Sequence, residues 1–174
     1  PATIALAGAS VLLAWVHKDP QSVLREIEWS SLFFFVGLFV LVQAITQVGI
    51  ISLVSSAALD LTGGNLRLTA TGLLWFSALA SGIVDNIPYT TALIPVVEHL
   101  GETLPVLPLW WSLALGACLG GNATLVGASA NVVVASLAER SGNPITFKRF
   151  LGYGLAVTVI SLVISTFYLW LRYL

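Results

Sequence analysis

The stretch "SGIVDNIPYTT", residues 81–91, sets an aspartate, an asparagine and a proline inside a run, residues 68–97, that is otherwise apolar or mildly polar. A straight helix over that run would be about 45 Å long at 1.5 Å per residue, against roughly 30 Å of bilayer hydrocarbon. Pro88 has no amide proton and biases the preceding residue away from helix, so the spacing predicts a break at "DNIP". The second limb, residues 89–99, then spans only about 16 Å, roughly half the core. A re-entrant hairpin over residues 69–99 fits this length better than two full crossings.

The rest of the chain supports a membrane setting. Of 174 residues, 57% are hydrophobic and 9% charged, with mean hydropathy +0.96, where an ordinary soluble domain carries roughly 25% charge. Nearly charge-free runs cover residues 1–16, 29–59, 68–97, 103–138 and 151–171, which leaves no room for a soluble domain. A net charge of −1 offers neither a polybasic anchor nor a nucleic-acid surface. The single cysteine, Cys118, excludes an internal disulfide and is expected to be a small packing residue. The chain opens at Pro1, holds no methionine and begins directly in an apolar run, so a fragment or processed half of a longer protein is expected.

The expected layout is a single membrane domain, 1–174. Residues 1–17 form a transmembrane helix. Residues 20–28 form a short interfacial helix that starts at Asp19-Pro20, with Val23, Leu24 and Ile27 opposed to Arg25, Glu26 and Glu28. Residues 29–48 cross once, with an interfacial arm to 59 and a turn at Gly63, Gly64 and Asn65. Residues 109–138 again exceed one span and contain "GGNATLVGASAN", residues 120–131, whose glycines and asparagines predict a second broken helix. A polar loop, "ERSGNPITFKR", precedes a last crossing at 151–171, with Tyr168, Trp170 and Tyr173 beside Arg172 at an interface. With the hairpin entering and leaving on one side, Lys18, Arg25, Arg140, Lys148 and Arg149 share the cytoplasmic side, and the carboxyl terminus is extracytoplasmic. A plasma (inner) membrane is the expected location.

Unwound backbone inside a bilayer is tolerated only where protein buries it or water reaches it, so two breaks predict a cavity. Half-helices starting there present free amides and a positive dipole end, a seat for an anion, while carbonyl ends suit cations. Asp85, Asn86, Thr90, Thr91, Asn122, Thr124, Ser129 and Asn131 are the candidate ion-binding residues, with Pro88, Gly121 and Gly127 shaping the breaks. An intramembrane carboxylate costs at least about 2.5 kcal/mol and usually serves protons, ions or substrate. The plainer alternative is that Asp85 or Asn86 caps the second half-helix. The threonines, serine and asparagines could equally join helices by ordinary hydrogen bonds, and the glycines could serve close packing. His17, His99, Glu98 and Glu102 fall at span ends and read as solvated interfacial groups. No metal-ligand spacing or nucleophile frame occurs, so neither an enzyme nor a cofactor is expected. Most tryptophans read as interfacial anchors, with the role of Trp75 open.

"VDNIPYTTALIPVV", residues 84–97, followed by "LGACLGGNATLVGASANVVVASLAE", residues 115–139, resembles the ArsB/NhaD ion transporter superfamily with its citrate-transporter-like domain, and is most similar to the P-protein branch of anion permeases. The resemblance covers essentially the whole chain, as the carboxyl-terminal half of such a transporter. It implies an all-α polytopic membrane protein with a re-entrant hairpin and a broken transmembrane helix, one half of an inverted repeat, moving elevator-fashion in a homodimer within the lipid bilayer. Residues 85–91 would be the hairpin tip and residues 122–131 the unwound stretch facing it. The missing amino-terminal half would complete the site. An acidic "DN" stands where dicarboxylate carriers have a Ser-Asn-Thr type motif, so Asp85 is expected to carry a proton or a transported Na+. The function expected is secondary active transport of a small inorganic or organic anion, arsenite among them, coupled to H+ or Na+. Na+/H+ antiport is the alternative within that class. A non-transporting membrane assembly subunit is the alternative from another class, ahead of a channel.

Overall fold

The computed structural model describes residues 2–16, 19–27 and 29–174, and among them it contains nine α-helices and no strand. These are α1 (Ala2–Val16), α2 (Pro20–Glu26), α3 (Trp29–Gln47), α4 (Ile50–Thr62), α5 (Leu66–Ser81), α6 (Asn86–Leu100), α7 (Val106–Gly120), α8 (Ser129–Arg140) and α9 (Phe147–Arg172). His17, Lys18 and Glu28 lie outside the described residues, as do the side chains of Leu24 and Glu26. The chain separates into two compact units, one ending at Gly37 and one spanning Leu38–Leu174.

In the first unit α1 is apolar along its length and buries no residue, leaving Ile4, Leu6, Val11 and Trp15 facing outward. Helix α2 begins at Pro20, behind Asp19, whose Oδ1 accepts from the Gln21 amide at 3.3 Å. Proline suits this place because its absent N–H would have had no partner.

The second unit is built around α5 and α7, its most extensive helix pair. Their contact rests on "GACLG", residues 116–120, where glycines four apart leave a groove into which α5 backbone settles. A Cβ on Gly120 would stand 2.5 Å from Ala78 Cα, and one on Gly116 2.7 Å from Ser77 Cβ. The seam is closed by Ser81 Oγ, which donates to the Ala117 carbonyl at 2.6 Å. Helix α6 packs on α7 through Val97 and Leu100 against Leu109 and Leu113, and α4 packs on both α6 and α5. Helix α9 packs on α5 and α7 through Leu162 and Leu169 against Leu74 and Ala78.

Two tryptophans link α5 to α9. Trp75 Nε1 donates to Thr166 Oγ1 at 3.1 Å, and Trp170 Nε1 donates to Thr71 Oγ1 at 3.0 Å. Each helix contributes a Thr and a Trp four residues apart, which share one helix face. Trp170, expected as an interfacial anchor, is therefore also part of a helix contact, and Trp75 acquires a role. Cys118 departs from expectation in the other direction: it is exposed on the outer side of α7, because the packed face is the one carrying Gly116 and Gly120.

By length and apolarity α9 can cross a membrane alone, and α3 with α4 qualifies as a pair, Leu32–Gln47 and Ile50–Thr62 meeting at 67°. The bend falls at Gly49, whose φ of +84° a side chain would disfavour. Helix α9 begins at Phe147, before the expected 151, because Thr146 Oγ1 accepts from the Arg149 amide and starts the helix there. At the other side α8 continues to Arg140. The expected polar loop therefore shrinks to residues 141–146.

Candidate functional site

The first interruption occupies residues 82–85, a turn earlier than "DNIP" predicts. Asp85 is the N-cap of α6, and its Oδ1 accepts from the Ile87 amide at 3.1 Å. Pro88 lies inside the first turn of α6, where a missing N–H leaves no intrahelical bond unmade. The limb that follows is accordingly 15 residues, about 22 Å at helical rise, longer than the 16 Å expected from a start after the proline.

The second interruption covers residues 121–128, and α8 starts at Ser129 behind Ala128, which has no capping side chain of its own. Ser129 and Asn131, expected in the unwound stretch, therefore lie in the first turn of α8. The missing cap comes from the other break. Asp85 Oδ2 accepts from the Ser129 amide at 3.2 Å and from Ser129 Oγ at 2.6 Å. One carboxylate thus serves the amino-terminal ends of two helices that begin 43 residues apart, at Asn86 and Ser129. A negative group is favoured at each end by the unpaired amides and the helix dipole.

Further bonds tie the two breaks together. Thr124 Oγ1 donates to the Gly82 carbonyl at 2.6 Å and accepts from the Gly127 amide at 3.0 Å. Gly127 allows the approach, since a Cβ there would meet the Ser81 carbonyl at 3.0 Å. Asn131 spans its own break: Nδ2 donates to the carbonyls of Gly121 at 2.9 Å and Thr124 at 3.0 Å. From the α9 side Thr158 Oγ1 donates to the Leu119 carbonyl at 3.3 Å. Gly154 faces the carbonyls of Asn122 and Ala123, which a Cβ would approach to 2.5 and 2.7 Å.

The candidate residues thus fall into groups. Asp85, Thr124 and Ser129 join the two breaks, and Asn131 braces one of them. Thr91 Oγ1 is engaged within α6, donating to the Ile87 carbonyl at 2.9 Å. Asn86 and Thr90 lie half-buried in the first turns of α6, and Asn122 is exposed at the second break. Sequence reasoning missed Ser81, Thr158 and Gly154, which hold the breaks in place. The small residues of "SALASG", residues 77–82, and of "GACLG" were the signal available for the α5–α7 part. Of the span-end groups, His99 Nδ1 lies 3.4 Å from Glu102 Oε2, one turn away at the end of α6.

Removing the brace gives a direct prediction. Asn131→Ala leaves the Gly121 and Thr124 carbonyls without their side-chain donor, and is expected to destabilise by about 2 kcal/mol. Thermal unfolding of the full-length protein in detergent measures this. An unchanged unfolding temperature would mean that the break does not depend on Asn131.

Comparison with known proteins places this geometry in context. The citrate transporter family matches residues 1–116. An uncharacterized transporter of Mycobacterium tuberculosis is 48% identical over 99% of this chain, which covers 41% of that protein. The 46 kDa membrane protein of Mycobacterium leprae is 42% identical over the whole chain, covering 42% of its own length. The P protein of Mus musculus is 42% identical over 95% of the chain, with 21% of its length covered. The chain therefore spans about two fifths of the length of the mycobacterial relatives. No solved structure matches it.

Proposed function

We propose, from the premise that this chain belongs to the citrate transporter family, that it is half of a secondary active transporter that moves a small ion coupled to H+ or Na+. The family is one of transporters rather than enzymes, and the chain is an integral membrane protein. The observation that carries the finer reading is the bridging of both half-helix starts by Asp85. Protonation of Oδ2 would put a hydrogen where Ser129 now donates, and a bound cation would compete with the same donors. Either event would weaken the link between α6 and α8 and unmask the positive helix ends, which could then hold an anion. The cargo is an inorganic or organic anion, for which arsenite is one candidate.

In this reading α5 and α6 form a re-entrant hairpin and α7 and α8 the broken transmembrane helix. A second, inverted half supplies the opposing wall of the site, and the protein works as a homodimer by elevator-type movement. Residues 17–28 and 139–149 face the cytoplasm in a plasma (inner) membrane. The paired interruptions, each joined to the other by side chains, support the hairpin assignment.

Solid-supported-membrane currents from the full-length parent in liposomes test this. Na+ jumps, pH jumps and a panel of small anions including citrate are expected to give a saturable current that depends on one cation and one anion. A current that requires only Na+ and H+ would identify an Na+/H+ antiporter instead. Silence under every gradient would overturn transport and leave a membrane assembly subunit.

A further inference from the structure

A second polar surface does not have Asp85 in its lining. A cleft of about 1040 Å³ opens between the first turns of α9 and the 141–146 loop, and its lining reaches Asn122 at the second break. Its one charged lining residue is Arg149, with no acidic residue among the others. The Arg149 guanidinium has no ion-pair or hydrogen-bond partner among the described residues; only its backbone amide is engaged, by Thr146. The Asn122 side-chain amide and the Tyr153 hydroxyl likewise have no hydrogen-bond partner among the described residues, although the Asn122 backbone amide donates to the Leu119 carbonyl at 3.1 Å. Pro144, Ile145, Phe150 and Val157 supply apolar wall.

We propose that this cleft is an anion-binding site, in which Arg149 holds a phosphate or carboxylate group and Asn122 donates to the same group. A planar guanidinium offers paired donors to two oxygens of either group. The absence of a carboxylate in the lining leaves that charge available to a ligand. The site carries the class of an oxyanion whether its source is a dissolved anion or the phosphodiester of an acidic lipid headgroup. Asp85 is not in its lining, and Asn122 is the one candidate ion-binding residue that is.

The test is chemical protection of arginine in the full-length protein. Phenylglyoxal modification of Arg149 is followed by peptide mass spectrometry in phosphatidylcholine nanodiscs, with Arg140, which is outside the cleft lining, as the internal reference. Inorganic phosphate or citrate, at constant ionic strength, is expected to slow Arg149 about fivefold at several times its dissociation constant and to leave Arg140 nearly unchanged. Protection by either identifies a dissolved anion as the ligand. Protection by phosphatidylglycerol nanodiscs without added anion identifies a headgroup. Asn122→Ala is expected to reduce whichever protection is seen, and unchanged protection would remove Asn122 from the site. Equal protection of Arg140 and Arg149, protection of neither, or an Arg149 already unreactive before any anion is added overturns the proposal.

Discussion

Asp85→Asn in the full-length protein is expected to lower ion-coupled flux by at least about a hundredfold, equivalent to roughly 2.7 kcal/mol on the rate scale. The substitution keeps shape and one carbonyl oxygen, so the α6 cap from Ile87 can persist while the exchangeable charge is gone. The bond from the Ser129 amide to Oδ2 must rearrange, because an amide nitrogen cannot accept it. Losing a helix cap costs about 1 kcal/mol, too little to unfold a typical domain. The expected pattern is therefore lost current with nearly normal membrane insertion and only a modest fall in unfolding temperature. Asp85→Ala separates the roles further, since it removes both caps as well as the charge. Full coupled flux in Asp85→Asn would reduce Asp85 to a cap, and the transport reading would lose its coupling group.

The second large effect is structural. Gly120→Leu is expected to destabilise by about 3 kcal/mol or more, the upper range for overpacking, because the obstacle is α5 backbone and not a side chain that can turn aside. Ala78 Cα, C and O would all lie within contact distance of the new Cβ. Separating α5 from α7 would also break the Ser81–Ala117 bond and shift both interruptions, since each follows directly from one of these helices. Gly72→Ala is the matched control. Nothing lies within 4 Å of a Cβ there, and alanine favours helix by up to about 1 kcal/mol. Thermal unfolding and monodispersity in detergent compare the two; equal stability would show that the α5–α7 approach tolerates a bulky residue.

Much of this organisation was legible in order along the chain. Hydropathy and charge announced a helical membrane protein, and the two polar stretches announced two interruptions, because a helix longer than the hydrocarbon with glycine, asparagine or proline inside must be broken. The first break lies a turn earlier than local pattern predicts. Pro88 reads as the breaker, yet proline is accommodated in a first helical turn and the Asp85 cap decides where α6 begins. Local pattern also extended the loop before α9, where the Thr146 cap starts the helix sooner.

The sequence by itself determined that the chain is apolar and helical, that polar residues interrupt two of its long apolar runs, and which family it resembles, because these depend on composition, on local backbone chemistry and on motifs read in order. The partners of the polar groups were decided only by tertiary structure. Asp85 meets Ser129, and Thr124 meets Gly82, because glycines on α7 admit the α5 backbone and bring two breaks distant in sequence side by side. The same packing turned Cys118 outward, and the packing of α9 on α5 joined Trp75 to Thr166. Such pairings depend on which helix faces meet. Hydrogen bonds act over about 3 Å, and residues forty positions apart reach that distance only through the packing of the helices that carry them.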